Sequence, residues 1–157
     1  TVMAKSRGMV LAADSQSSSQ VGDIGRFQGM DLLTPTEHEA RLAMRNREDG
    51  LVVLAEGLRL QSSARNVLLK MGEEGILIHP DEGGEDRMTD RIGALNAAPQ
   101  DVAGAGDSLL ITSALTLTCG GNIWEAACLG SLAAAVQVGR IGNTPLRTKE
   151  LLRELDT

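Results

Sequence analysis

The stretch 101–107, with the sequence DVAGAGD, places two glycines and an alanine directly before a carboxylate and an apolar run over 108–117. A turn of such small residues that leads into a helix leaves several backbone N–H groups unpaired and pointing the same way. These groups lie at the positive end of the helix dipole and form a natural binding site for an anion. A carboxylate beside a bound anion is electrostatically unfavourable because like charges repel, so Asp107 is a candidate for a chemical task.

From the residues alone, Asp107 has two interpretations. In the first, it is a capping or first-turn acid, which stabilises a helix by a few tenths to about 1 kcal/mol. In the second, the turn holds a phosphate and Asp107 accepts the proton of an alcohol that attacks it. Gly104 and Gly106 would then let the backbone approach the phosphate closely. Both interpretations stay open at this point.

The order of the other segments predicts an α/β layered fold. The predicted strands lie over residues 9–14, 31–34, 66–70, 75–79 and 87–92, and the third and fourth form a hairpin through 71–74. The predicted helices lie over residues 36–43, 51–60, 107–118, 123–140 and 148–155, with a helical turn over 23–27. Polar loops are expected over 15–22 and 80–87. Asp14 falls at the C-terminal edge of the first strand.

Composition narrows the class of function. The chain has 157 residues, enough for one domain, with one Trp, one Phe, no Tyr and a net charge of −6. Without a basic cluster or stacking aromatics, nucleic-acid binding is not expected. No apolar run approaches the roughly 20 residues of a membrane span, and no signal peptide opens the chain. A cytoplasmic protein without a membrane partner is therefore predicted.

The cysteines and histidines have no ligand spacing. Cys119 and Cys128 are predicted to be buried free thiols in a reducing compartment rather than a disulfide. His38 and His79 are predicted to lie on the surface. The small residues over 126–135 would let their helix pack very closely against a neighbour or a flat ligand.

The string DVAGAGD closely resembles the second signature of the PfkB (ribokinase-like) carbohydrate kinases. Residues 14–44, with ADSQ around Asp14 and then DIGRFQGMDLLTPTEHEARLAM, resemble the stretch that precedes and includes the magnesium-associated motif of bacterial heptose-phosphate kinases. Residues 126–146 (AACLGSLAAAVQVGRIGNTPL) resemble the nucleotide-pocket helices of that group. The resemblance covers nearly the whole chain. It implies that residues 1–157 are the C-terminal, nucleotide-binding half of a ribokinase-like α/β/α kinase domain, and that the N-terminal sugar-binding half is absent.

The resemblance implies ATP-dependent phosphoryl transfer to a hydroxyl of a sugar or sugar phosphate. Asp107 would be the catalytic base, and Gly104, Ala105 and Gly106 would form the anion hole. The implied cofactors are ATP and Mg²⁺, with a monovalent cation as a further candidate. Asp101 would help to shape the loop that holds that cation.

The magnesium-associated motif of the family is Pro-Asn-x-x-Glu. Here the matching residues are Pro35, Thr36 and Glu39, so Glu39 would hold Mg²⁺ through water while Thr replaces Asn. Thr36 and Glu39 also have the spacing of a capping box at a helix start. The two roles of Glu39 are compatible.

Residues 70–75 resemble the nucleotide turn of the family, Thr-x-Gly-x-x-Gly. Gly72 and Gly75 match, whereas Lys70 stands where Thr is usual. Lys70 either pairs with a phosphate or is a solvated strand end. Asn143 falls where the adenine-side residue commonly lies, or is simply a turn residue. For residues 133–135, plain core is favoured over an adenine wall.

Three departures from the family pattern support a second hypothesis. Thr36, Lys70 and Gln16, the last of which stands where heptose kinases commonly have Lys, are also compatible with a non-catalytic nucleotide-binding module. A homo-oligomer is one candidate for the oligomeric state of the full-length protein. Because sugar kinases close a lid to exclude water, this chain alone is expected to be nearly inactive.

Overall fold

One mixed five-stranded sheet lies between two layers of helices in the computed structural model, which describes residues 1–15, 23–81 and 88–156. The strands, in spatial order, are β1 (Ala12–Ala13), β2 (Leu32–Leu33), β3 (Asn66–Lys70), β4 (Ile76–Pro80) and β5 (Asp90–Ile92). The first three run parallel, and β4 and β5 are each antiparallel to the preceding strand. The helices are α1 (Val2–Lys5), α2 (Glu37–Met44), α3 (Leu51–Ser62), α4 (Ala105–Thr118), α5 (Ile123–Val138) and α6 (Thr148–Leu155). The predicted α/β layered fold is confirmed.

Alternation along the strands divides the core between the two layers. Leu33 and Leu69 belong to the cluster formed with α2 and α3, whereas Leu32 and Leu68 belong to the cluster formed with α4 and α5. Parallel strands have their C-terminal ends at one edge of the sheet. This edge is where ligands bind in open α/β sheets.

Side chains and glycine set where the main helices begin. The capping box at α2 is present, since Thr36 accepts a hydrogen bond from the backbone of Glu39 and the Glu39 carboxylate accepts one from the backbone of Thr36. A second capping box, Asn122 with Glu125, starts α5. Helix α4 starts at Ala105, two residues earlier than predicted, because Gly104 takes a left-handed φ of 77° and serves as its N-cap.

Helices α4 and α5 pack closely through small residues. A Cβ atom at Gly130 would collide with the Ser113 hydroxyl group. That hydroxyl is buried and donates to the Ala126 carbonyl oxygen at 2.9 Å. The small-residue face of α5 therefore packs against a neighbouring helix, and Ala133 is fully buried in agreement with plain core.

Three predictions of burial are wrong. Cys119 and Cys128 are free but exposed, and His79 is 2% exposed rather than on the surface. Cys119 follows the end of α4, and Cys128 lies away from the α5 face that buries Ala126 and Gly130. His79 is buried because every residue of β4 is.

The predicted loops over 15–22 and 80–87 fall mostly outside the described residues, as does Gln16. The predicted helical turn is a 3-10 turn over Ile24–Arg26. Within the described parts of the chain, no helix is both long and apolar enough to cross a membrane.

Candidate active site

The Gly-rich turn and the start of α4 form the centre of the candidate site. Among the described residues, the backbone N–H groups of Gly104, Gly106 and Asp107 have no acceptor, whereas that of Ala105 donates to the Val102 carbonyl oxygen at 3.3 Å. Unpaired N–H groups in a first helical turn can bind an anion. Asp107 is exposed in this turn, so its carboxylate is open to an approaching ligand.

Position 104 requires glycine for two reasons, which are its backbone conformation and the close approach of a neighbouring side chain. Its φ of 77° is strained for other residues, and a Cβ atom there would collide with the Asn143 side chain. Asn143 is thus placed against the turn. The structure thereby brings together two residues that lie 39 positions apart in the sequence (104 and 143).

Asp101 fastens the turn to the loop after α5. One carboxylate oxygen accepts from the Ala103 N–H at 2.9 Å and the other accepts from the Gly142 N–H at 3.0 Å. These two hydrogen bonds hold the pKa of Asp101 below its ordinary value. Asp101 therefore shapes the loop next to the anion turn.

Gln137 supports the same connection and was missed by the sequence analysis. Its side chain is 1% exposed, and its Nε2 donates to the carbonyl oxygens of Ala103 at 3.1 Å and Gly142 at 3.2 Å. Its Oε1 accepts from Arg140. A signal was available, because Gln137 is the one long polar side chain in the run 129–138, whose other residues are small or apolar.

Lys70 and Asp14 meet at the C-terminal edge of the sheet. Lys70 Nζ lies 2.5 Å from Asp14 Oδ2, and the two side chains are 17% and 16% exposed. A Cβ atom at Gly106 would lie 3.2 Å from Lys70 Nζ, which places this ion pair against the anion turn. Lys70 is therefore not a solvated strand end. Asp14 was predicted at this edge, but its partner was not.

Burial and charge act against each other at Asp14. Burial raises the pKa of Asp14 above its ordinary value, the nearby Glu39 carboxylate adds to that rise, and the Lys70 ammonium opposes it. Glu39 therefore lies close enough to affect Asp14. The Asp14 and Glu39 carboxylates and the Lys70 ammonium thus lie near one another at the edge of the sheet.

Glu39 is 2% exposed and is held by Thr36. Its Oε2 accepts from the Thr36 N–H at 2.7 Å and from the Thr36 hydroxyl at 2.9 Å. Over residues 1–15, 23–81 and 88–156, no three His, Cys, Asp or Glu side chains gather into a group that could hold a metal ion. The hard Glu39 carboxylate fits a magnesium ion held through water alongside phosphates, rather than a cage made only of protein ligands.

The two glycines of the predicted nucleotide turn shape the β3–β4 hairpin. Gly72 has a φ of 63° and Gly75 a φ of 91°, and the Met71 N–H donates to the Gly75 carbonyl oxygen at 2.8 Å. A Cβ atom at Gly75 would collide with the Ile92 carbonyl oxygen. The hairpin turn follows Lys70 directly, so it lies at the same edge of the sheet as the ion pair.

A comparison with family models decides the classification. Residues 1–149 match the model of the pfkB family carbohydrate kinases. The chain belongs to this family. The predicted membership is thus confirmed, and the curated relatives described next agree with the heptose-phosphate kinase branch.

The curated relatives are bacterial bifunctional proteins. The chain is 30% identical over 151 residues to the bifunctional protein HldE of Geotalea uraniireducens, covering 94% of this chain and 29% of the relative. It is 30% identical over 154 residues to HldE of Coxiella burnetii, covering 97% of this chain and 31% of the relative. The chain thus spans less than a third of the length of these relatives.

Solved structures support the ribokinase-like fold. The ribokinase of Thermotoga maritima is 28% identical with a TM-score of 0.71, over 83% of this chain and 44% of that one. Arabidopsis thaliana ribokinase, complexed with ribose and ATP, is 20% identical with a TM-score of 0.77, over 98% of this chain and 49% of that one. Phosphofructokinase-2 of Escherichia coli, in complex with potassium, is 17% identical with a TM-score of 0.78, over 97% and 48%.

Proposed function

We propose that the protein transfers the γ-phosphoryl group of ATP to a hydroxyl of a sugar or sugar phosphate, with a heptose phosphate as the first acceptor to test. The carrying observation is the start of α4, where unpaired N–H groups adjoin the exposed Asp107 carboxylate. Membership of the pfkB family and similarity to HldE support this proposal.

In the proposed reaction, Asp107 accepts the proton of the acceptor hydroxyl as its oxygen bonds to the γ-phosphorus atom. The bond from that phosphorus atom to the bridging oxygen breaks, and ADP leaves. The N–H groups of Gly104 and Gly106 stabilise the negative charge of the transferring group, because such donors are already aimed at it before reaction. The Ala105 N–H is a weaker candidate, since it is already bonded to Val102.

The nucleotide would lie along the C-terminal edge of the sheet. Lys70 and Asn143 flank the anion turn, and Gly72 and Gly75 shape the hairpin beside it. Glu39 would hold Mg²⁺ through water, and the ion would supply charge neutralisation for the phosphates. A monovalent cation is a further candidate near the loop that Asp101 fastens.

The acceptor would be bound largely by residues that precede this chain. The chain spans 44% and 49% of the two ribokinase chains it resembles, and 29% of the Geotalea HldE. Residues 1–157 are thus proposed to be the C-terminal, nucleotide-binding half of the kinase domain. ATP and a sugar or sugar phosphate are the proposed partners, and a cytoplasmic location is part of the proposal.

A non-catalytic nucleotide-binding module is the second candidate function. It is favoured by the carboxylates at the sheet edge, since Asp14 is paired with Lys70 and Glu39 with Thr36. Neither carboxylate has to bind a metal to be satisfied. This module would keep affinity for ATP without transferring its phosphate.

An acceptor screen separates the two candidates. The full-length protein that contains this chain is assayed for ADP formation with heptose, hexose and pentose substrates and their phosphates. The kinase proposal expects at least one acceptor to raise ADP formation well above the rate without acceptor. ATP binding without any acceptor-dependent ADP formation would instead establish the non-catalytic module.

A further inference from the structure

Three polar side chains form a row at the C-terminal edge of the parallel strands. Asp14 follows β1, Thr34 follows β2 and Lys70 ends β3. These three side chains are called the polar row below. Strand pairing continues to Thr34, whose N–H donates to the Ala13 carbonyl oxygen at 3.2 Å.

The polar row faces the start of α4. Leu32 and Leu68 belong to the α4–α5 core cluster, and side chains two residues apart on a strand share a face. Thr34 and Lys70 therefore lie on the α4 side of the sheet. The position of Lys70 Nζ against Gly106 agrees with this assignment.

Thr34 carries a second, independent sign of an incomplete site. Its side chain is 0% exposed, and its hydroxyl has no hydrogen-bond partner among the described residues. Buried hydroxyl groups are normally paired, so an unpaired one calls for an explanation. Thr34 lies between Asp14 and Lys70 in the polar row, because β2 lies between β1 and β3.

The charges of the polar row determine how strongly an anion would bind at the start of α4. Lys70 is the ammonium group that lies against the anion turn, and its nearest counter-charge is Asp14 at 2.5 Å. Both side chains are mostly buried, so water screens their charges only weakly. An ammonium held in this way is poorly available to a phosphate.

We propose that Asp14 is a specificity-determining residue that masks the Lys70 ammonium, so that a phosphate at the start of α4 must displace Asp14 as the partner of Lys70. This inference rests on the proposed phosphate site. The consequence is discrimination among anions. An anion that contacts only the N–H groups of the turn gains little from the Lys70 ammonium, because Asp14 neutralises that charge. A group that binds must reach Lys70 as well as the N–H groups of the turn.

The test measures the affinity of the full chain for inorganic pyrophosphate by titration calorimetry, at fixed low ionic strength and with EDTA to remove metal ions. Asp14→Asn is expected to bind pyrophosphate about five- to tenfold more tightly, because the Lys70 ammonium is then no longer neutralised by a neighbouring carboxylate. Lys70→Met is expected to weaken binding. In the Lys70→Met background, the gain from Asp14→Asn should fall below about twofold.

Asp31→Asn is the matched control. Asp31 also accepts a backbone hydrogen bond, from Leu11 at 2.9 Å, and pairs with Arg65 at 3.7 Å. It precedes β2 and so lies at the opposite edge of the sheet. The same loss of charge there should leave pyrophosphate affinity unchanged.

Three results would overturn the inference. The first is unchanged or weaker pyrophosphate binding by Asp14→Asn. The second is a gain from Asp14→Asn that is equal whether residue 70 is Lys or Met. The third is no measurable pyrophosphate binding by any variant. If Asp14→Asn does not fold, Asp14→Ser is measured in its place, and if Lys70→Met does not fold, Lys70→Gln is measured in its place. Failure of acceptor-dependent ADP formation with the expected pyrophosphate pattern intact would refute sugar phosphorylation alone.

Discussion

The His79 imidazole is held in a buried polar network. Its Nδ1 lies 2.8 Å from the Thr89 hydroxyl and its Nε2 lies 2.9 Å from a Glu56 carboxylate oxygen. Arg59 donates to the same Glu56 oxygen at 2.8 Å and to Asp81 at 2.5 Å. Burial lowers the pKa of His79 below its ordinary value of 6.5, and the Arg59 charge lowers it further.

This pKa shift predicts a loss of stability in acid. Below about pH 6.5 the unfolded chain protonates His79 while the folded chain resists, so the free energy of unfolding falls as the pH falls. The His79→Gln variant should lose less stability than wild type between about pH 7.5 and about pH 5.5, by up to about 1.4 kcal/mol. Urea unfolding at both pH values measures it.

His38→Gln is the control for that measurement, because His38 is exposed in α2. Its loss of stability between the two pH values should equal that of wild type. A His79→Gln protein that loses as much stability as wild type would show that the buried imidazole does not resist protonation.

Single residues also show what the sequence could and could not predict. Thr36 and Glu39 were predicted as a capping box because that interaction is local. The Asp14–Lys70 ion pair joins residues 56 positions apart, across the end of an intervening strand, and no local pattern indicates it. The assignments of Asp107, Lys70 and Asn143 to catalysis and nucleotide binding remain predictions.

At the scale of elements, the β3–β4 hairpin depends on two glycines with different requirements. Gly75 has a φ of 91° and lies against the Ile92 carbonyl oxygen, whereas Gly72 has a φ of 63° and open space around it. Only Gly75 combines a left-handed backbone with a collision. Substitutions at the two positions therefore separate the cost of the left-handed backbone from the cost of the collision.

Gly75→Ala should lower the free energy of unfolding by about 3 kcal/mol or more, because a methyl group there meets the backbone at the end of β5. Gly72→Ala should cost about 1–2 kcal/mol, the ordinary cost of a left-handed conformation. Urea unfolding of both variants measures the difference. Equal losses would show that the contact between the hairpin turn and β5 is not close.

The elements themselves were largely predictable from sequence. Two short apolar runs joined by a glycine-containing turn indicated the hairpin strands, and capping residues indicated where α2 and α5 begin. The early start of α4 was missed, since Gly104 as N-cap supplies no side-chain signal. The exposure of Cys128 depends on which face of α5 meets α4, which is set by packing rather than by local sequence.

At the scale of the whole molecule, the chain carries a sheet edge with an anion turn but spans under half of each ribokinase chain it resembles. If the acceptor is bound by preceding residues, the 157-residue chain alone should form ADP with a sugar acceptor at a rate near background. A coupled assay of the chain beside the full-length protein measures this. Comparable turnover by both would contradict the half-domain proposal.

The central claim is that Asp107 accepts the proton while the turn before it holds the transferring phosphate. The most direct measurement compares Asp107→Asn with wild type in the full-length protein, by acceptor-dependent ADP formation and by ATP binding. The expected result is a fall in kcat of about 10²- to 10⁴-fold with ATP affinity within about threefold, while the remote Asp31→Asn keeps the parental rate. An Asp107→Asn protein that phosphorylates its acceptor at the parental rate would contradict the claim.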